Sequence, residues 1–153
     1  MSAIKIVFVC TGNTCRSPMA EVMAAQIFAE AGLVVDVSSA RVSAFDGQPA
    51  SRHAVSVMKD GGLCLLSHKA VTVSSDMLET AQLVLTMTGS HRAVLLSDYP
   101  AAAGKVFTLA GYVGDDANVA DPFGGSVDEY RGCAAQIRKL LMLAAGKLGC
   151  AAG

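Results

Sequence analysis

Apolar positions along this chain recur with two periods that alternate. Ile4 to Val9 is a short β-branched apolar run, the pattern of a strand buried on both faces. From Met19 to Ala31 the spacing becomes helical, with Pro18 at the expected helix start and Gly32 at its end. Leu33 to Val37 reads as a second strand, and Ser38 to Ser51 as a loop punctuated by Gly47 and Pro49. Arg52 to Asp60 predicts a short helix closed by two glycines. Ser75 to Ala81 predicts another, capped by Ser74 or Ser75. Leu83 to Thr86 is a third buried strand, Ser90 to Leu96 a helix, and Lys105 to Leu109 a fourth, weaker strand. Gly111 to Gly125 reads as a long loop rich in Asp and Gly. Val127, Tyr130, Ala134, Ile137, Leu141, Ala144 and Leu148 then keep helical spacing, which makes the last helix amphipathic.

This alternation predicts an α/β fold: a three-layer sandwich with a four-stranded parallel sheet flanked by helices and joined by right-handed crossovers. No repeat or linker interrupts it, so a single domain over residues 1–153 is expected. Ligands of such sheets bind beyond the carboxyl ends of the strands, where strand order reverses. Strand one is expected to hold that place, which puts Cys10 where chemistry should occur.

Composition narrows the picture. With 52 % hydrophobic and 16 % charged residues, the chain can bury a real core and is not of the disordered class. A net charge of −1, with no basic stripe or polybasic cluster, argues against nucleic acid and membrane surfaces as partners. The apolar run Leu140 to Ala145 is too short to span a bilayer, and "MSAIKIVFV" alternates like a strand rather than a signal peptide. Five cysteines without a C-x-x-C pair fit neither a disulfide framework nor a zinc site. A reducing cytoplasm is the expected setting.

The chemistry concentrates between the first strand and the first helix, in Cys10-Thr11-Gly12-Asn13-Thr14-Cys15-Arg16-Ser17. A C-x5-R-S loop of this length can curl around one tetrahedral anion, with successive backbone N–H groups and a helix N-terminus turned inward. Gly12 is expected to supply a conformation that a Cβ would hinder. Asn13 tolerates left-handed geometry and can bond across the loop. Arg16 offers a two-pronged fork to phosphate oxygens. Inward donors suit a Cys10 thiolate, the nucleophilic form, to which the Ser17 hydroxyl can donate. Attack on phosphorus would give a phosphocysteine, which water then hydrolyses. Thr11 to Cys15 and Ser17 are therefore candidate phosphate- or substrate-binding residues. No Gly-Lys pair follows the glycine, which excludes a Walker A loop.

A phosphatase also needs an acid for the leaving group. Asp121, stiffened by Pro122, is the first candidate, ahead of Asp115, Asp116 and Asp128. His53, His68 and His91 are scattered, and surface or structural roles are expected for them. The methionines read as core filler. Cys10 and Cys15 bracket one loop, so either an oxidative disulfide forms between them or Cys15 merely packs.

The stretches "VCTGNTCRSPMAE" and "DPFGGS", with "SHKA" at Ser67 to Ala70 and "LVLTMT" at Leu83 to Thr88, resemble the low-molecular-weight protein-tyrosine-phosphatase family over essentially the whole chain. The resemblance implies the same four-stranded sheet, no metal or cofactor, and a two-step mechanism acting on phosphorylated proteins. It implies Cys10 as nucleophile, Arg16 as phosphate ligand, Asp121 as general acid, and loop-shaping roles for Asn13 and Ser43. Within the family the chain looks most like the bacterial protein-arginine phosphatases. Thr14 stands where tyrosine-specific members carry a bulky aliphatic residue. Phe123 is followed by Gly124 rather than by a second aromatic, which weakens a stacking wall for a phenyl ring. Tyrosine phosphatase is the alternative. Ser39-Ala40-Arg41 departs from the family's Ser-Ala-Gly and is expected to bring a positive charge to the rim. Arsenate reductases of this fold need resolving cysteines near the end of strand three, and Leu83 to Ser90 has none. A non-catalytic phosphate-binding module would not need both Cys10 and Asp121.

Overall fold

The computed structural model describes residues 3–42, 47–115 and 117–152, with side chains described to residue 150. Four parallel strands form one sheet: β1 (Ile4–Cys10), β2 (Val35–Arg41), β3 (Leu83–Thr86) and β4 (Val106–Thr108), in the order β2-β1-β3-β4. The helices are α1 (Arg16–Glu30), α2 (Arg52–Asp60), α3 (Ser75–Thr80), α4 (Gly89–Asp98), α5 (Leu109–Tyr112) and α6 (Val127–Ala152), with a 3-10 turn at Pro100–Ala102. The order reverses between β1 and β3, so the carboxyl end of β1 opens at the switch point.

Alternation along β1 sorts the core into two layers. Ile6, Phe8 and Cys10 join one apolar cluster with Met19, Met23 and Phe28 of α1, Ala54 and Met58 of α2, and Ile137 and Leu141 of α6. Val7 and Val9 join a second cluster with Leu78 of α3 and Leu95 of α4. Cys10 thus lies on the α1/α6 side, at the last rung of the sheet opposite Arg41.

Several boundaries differ from the sequence reading, each for a physical reason. Helix α1 begins at Arg16, so Pro18 is its third residue, where a missing N–H still costs no helical bond. Strand β2 starts at Val35 and runs on to Arg41, because buried side-chain partners hold its polar end in the sheet. Ser39 is tied to Asn13 and Glu21, and Arg41 to Gln48 and Thr72. Arg41 is only 1 % exposed, so its charge is folded inward and is not offered to the rim. Helix α5 is a four-residue turn capped by Thr108, whose Oγ1 accepts from Gly111 N; it is too short to show a period. Ser43 and Asp116 lie outside the described residues. Among the described residues no helix is long and apolar enough to cross a membrane.

Candidate active site

The chain leaves β1 at Cys10 and turns through five residues into α1, and the turn depends on Asn13. Asn13 has φ 55°, the one positive-φ residue other than glycine among those described. Its side chain offsets the cost of that backbone: Nδ2 donates to Ser17 Oγ and to Ser39 Oγ, both at 2.8 Å, and Oδ1 accepts from Val71 N at 3.1 Å. Its carbonyl oxygen meets His68 Nε2 at 2.7 Å. Gly12, expected to be the permissive position, has no left-handed backbone, and a Cβ there would meet only Thr14 Oγ1 at 3.6 Å. The special conformation belongs to the residue whose amide can stabilise it.

These bonds fix proton directions. Ser17 Oγ accepts from the Asn13 amide, so its own proton is free for Cys10 Sγ, 2.9 Å away. Ser39 Oγ accepts the other amide proton and donates to Glu21 Oε1 at 2.6 Å. A chain of donors therefore leads from the buried polar network to the Cys10 sulfur, which is 2 % exposed.

Around that sulfur several donors lack acceptors. No side chain caps α1, and among the described residues no backbone N–H from Thr11 to Ser17 finds an acceptor. Arg16 is buried; Nη1 donates to Val119 O at 2.8 Å, Nη2 approaches Asp121 Oδ2 at 3.6 Å, and Nε has no partner. Buried guanidinium atoms are rarely left so, and this set can enclose one tetrahedral anion. Asp121 is half-exposed; its Oδ1 accepts from Phe123 N at 3.0 Å in a turn that leaves Oδ2 facing the guanidinium. A cleft of about 590 Å³ opens above Cys10. Thr11, Gly12, Thr14, Cys15 and Arg16 form its floor, Gln48 to Arg52 one wall, and Asp121 and Phe123 the other. Phe123 is 73 % exposed and stands at the rim.

The structure thus brings Cys10, Thr11, Gly12, Thr14, Cys15, Arg16, Asp121 and Phe123 to one cleft, with Asn13 and Ser17 buried beneath it. Asp115 and Asp128 do not line it. Cys15 points into a polar pocket, 3.3 Å from Tyr130 Oη and 3.6 Å from Ser51 Oγ. Burial, then the bond to Cys15, pushes Tyr130 up to about 12, so its hydroxyl remains protonated at neutral pH. Burial raises Cys133, on the same side, to about 12, and this thiol is inert.

Sequence reasoning missed Glu21, Ser39, Val71 and Val119, which support the loop, and left two histidines without a place. His68 holds the Asn13 carbonyl. His91 is buried against Thr11, with Nε2 2.7 Å from Thr11 Oγ1. One signal was present: Thr88 is a helix cap two residues after β3, which puts His91 in the first turn of a helix at the open end of the sheet.

Comparisons with known proteins agree with this geometry. The profile described as "Low molecular weight phosphotyrosine protein phosphatase" matches residues 5–148. A protein-arginine-phosphatase of Bacillus subtilis is 42 % identical over 144 residues, covering 94 % of this chain and 95 % of its own length. A low molecular weight protein-tyrosine-phosphatase, PtpB, of Staphylococcus haemolyticus is 38 % identical over 149 residues, covering 95 % of this chain and 97 % of its own. Among solved structures, a YwlE arginine phosphatase mutant with a phosphorylated active-site serine superposes with a TM-score of 0.92 at 40 % identity, over 95 % of each chain. With that extent of match on both sides, the chain belongs to the low molecular weight phosphotyrosine protein phosphatase family.

Proposed function

We propose that this chain, as a single domain, is a protein phosphatase that hydrolyses phosphoarginine in proteins through a phosphocysteine. The observation that carries the catalytic part is the buried Arg16 with its unpartnered Nε, set among acceptor-free loop N–H groups beside the Cys10 thiol. The phosphoryl group sits in that cradle. Cys10 Sγ attacks phosphorus as the P–N bond to the guanidine breaks, and Asp121 gives the departing nitrogen its proton. Water then attacks the phosphocysteine; Asp121 takes its proton, the P–S bond breaks, and inorganic phosphate leaves with the thiolate restored. Ser17 steadies that thiolate with the proton that Asn13 leaves free. This chemistry needs no cofactor. Phosphorylated proteins are the substrates, with neither nucleic acid nor membrane as a partner, and a cytoplasmic setting fits the five free cysteines. Redox sensitivity through Cys10 and Cys15 belongs to the same reading.

Arginine is favoured over tyrosine by Thr14 on the cleft floor, whose hydroxyl can accept from a guanidinium nitrogen, and by Gly124 where a second aromatic would stand. Relatives named protein-arginine-phosphatase support this choice. Tyrosine phosphatase is the second reading, since Phe123 offers one aromatic wall and equally covered relatives carry that name. The test compares kcat/KM on a phosphoarginine and a phosphotyrosine peptide. The wild type should prefer phosphoarginine, and Thr14→Ile should lose that activity while gaining on phosphotyrosine, because a site built on a polar contact rejects a substrate that leaves it unpaired. Cys10→Ser should end turnover on both yet still bind vanadate. A wild type that prefers phosphotyrosine sinks the arginine assignment; turnover by Cys10→Ser sinks the mechanism.

A further inference from the structure

His91 is a buried titratable group that the scheme above does not use. Its ring is 6 % exposed, its Nε2 lies 2.7 Å from Thr11 Oγ1, and its Nδ1 is buried with no partner. Thr11 follows Cys10 directly and is exposed on the cleft floor. The two residues are 80 positions apart. The backbone that carries the ring is held at the helix start. Its backbone N–H donates to Thr88 Oγ1 at 3.2 Å, and the neighbouring Gly89 N–H donates to Asn118 Oδ1 at 3.0 Å.

We propose that His91 is a positioning residue whose Nε2–H donates to Thr11 Oγ1, leaving the Thr11 hydroxyl proton to donate to the phosphoryl group in the cleft. The inference deepens the phosphatase reading and rests on it. The tautomer follows from the unpartnered Nδ1. Were Thr11 the donor, the ring's single proton would sit on Nδ1 as an orphaned buried N–H, which is rarer in folded proteins than an unfilled acceptor. A bare Nδ1 lone pair also suits the neighbouring Arg16 cation. Burial first, and then Arg16, lower His91 to about 4, against a smaller opposing pull from Asp121. The ring is therefore neutral over the working range and orients Thr11 without adding a second cation beside Arg16. Thr11 Oγ1 has no other partner among the described residues, so once it accepts from His91 its proton is available to a ligand.

The test is a double-mutant cycle on Thr11→Val and His91→Ala, read by vanadate inhibition and by kcat/KM on an aryl phosphate, which does not depend on the arginine assignment. Thr11→Val should weaken both by roughly ten- to a hundredfold, the loss of one hydrogen bond to a charged group. His91→Ala should do the same in the wild type and change neither by more than about twofold in the Thr11→Val background. His91→Asn, which keeps an amide donor, should recover part of the loss with the acid limb of the pH profile unmoved. Additive losses, a Thr11→Val enzyme with unaltered vanadate inhibition, or an acid limb that vanishes in His91→Asn would each overturn the proposal. Should His91→Ala fail to fold, Thr11→Val at its exposed position decides alone. A wild type that neither cleaves the aryl phosphate nor binds vanadate would instead sink the phosphatase reading.

Discussion

Asp121 shows how one side chain can hold a loop with one oxygen and leave the other turned toward the cleft. Oδ1 accepts from Phe123 N at 3.0 Å and closes a turn, while Oδ2 faces the Arg16 guanidinium at 3.6 Å. The carboxyl is 51 % exposed, so the ion pair itself adds little stability. Asparagine would keep the oxygen that closes the turn and lose only the ability to give and take a proton. Asp121→Asn is therefore expected to melt like the wild type. Its turnover should fall by roughly a hundredfold or more on substrates with poor leaving groups, and less on an activated aryl phosphate whose leaving group needs little protonation. Steady-state kinetics on the two substrate types check this; an equal loss on both would move the acid elsewhere, with Asp116 or Asp128 next to test.

At the scale of elements, the loop that carries Asp121 is stapled to three neighbours. Val119 N donates to Met87 O past β3, Val119 O accepts from Arg16 of α1, and Cys133 of α6 approaches Ala120 O at 3.7 Å. Asn118 adds a fourth element and a second tie to α6: its Oδ1 accepts from Gly89 N of α4, and its carbonyl accepts from Gln136 Nε2 of α6 at 3.1 Å. Gln136→Ala removes one staple without touching the anion cradle. A lost hydrogen bond of about 1 kcal/mol translates to roughly a fivefold effect, so kcat on poor leaving groups should drop severalfold. The inhibition constant for inorganic phosphate should stay within about twofold; a rise to match the kcat loss would mean that the staple supports the cradle instead. These staples also mark the limit of what the sequence revealed. Helix α2 and strand β3 were legible to the residue, because two glycines close one and an uninterrupted apolar run makes most of the other. That Cys10, Arg16 and Asp121 share one cleft was legible through local motifs. The polar end of β2, the role of Arg41 and the places of His68 and His91 were not. Each depends on a partner 18 to 80 residues away, and no periodicity records such a pairing.

For the whole molecule, the buried His91 makes folding stability depend on pH in a definite direction. In the unfolded chain a histidine titrates near 6.5, whereas in the fold burial and Arg16 bring His91 down to about 4. Between those values the unfolded state binds the extra proton and the folded state resists it, so stability rises with pH across the window and is lost as pH falls through it. At about 1.4 kcal/mol per unit the effect is at most about 3 kcal/mol, a large share of the margin of an ordinary domain. Asp121, the opposing charge, moderates the loss while it remains ionised. The acid slope of the wild type sums over every group that takes up protons on unfolding, so alone it does not isolate the histidine. The comparison that does is urea unfolding of wild type and His91→Asn from pH 8 to pH 4. The wild type should lose the more stability, and the difference should grow between pH 6.5 and 4 and vanish above pH 7.5. Parallel curves over that range would mean that His91 takes up a proton in the fold as readily as in the unfolded chain.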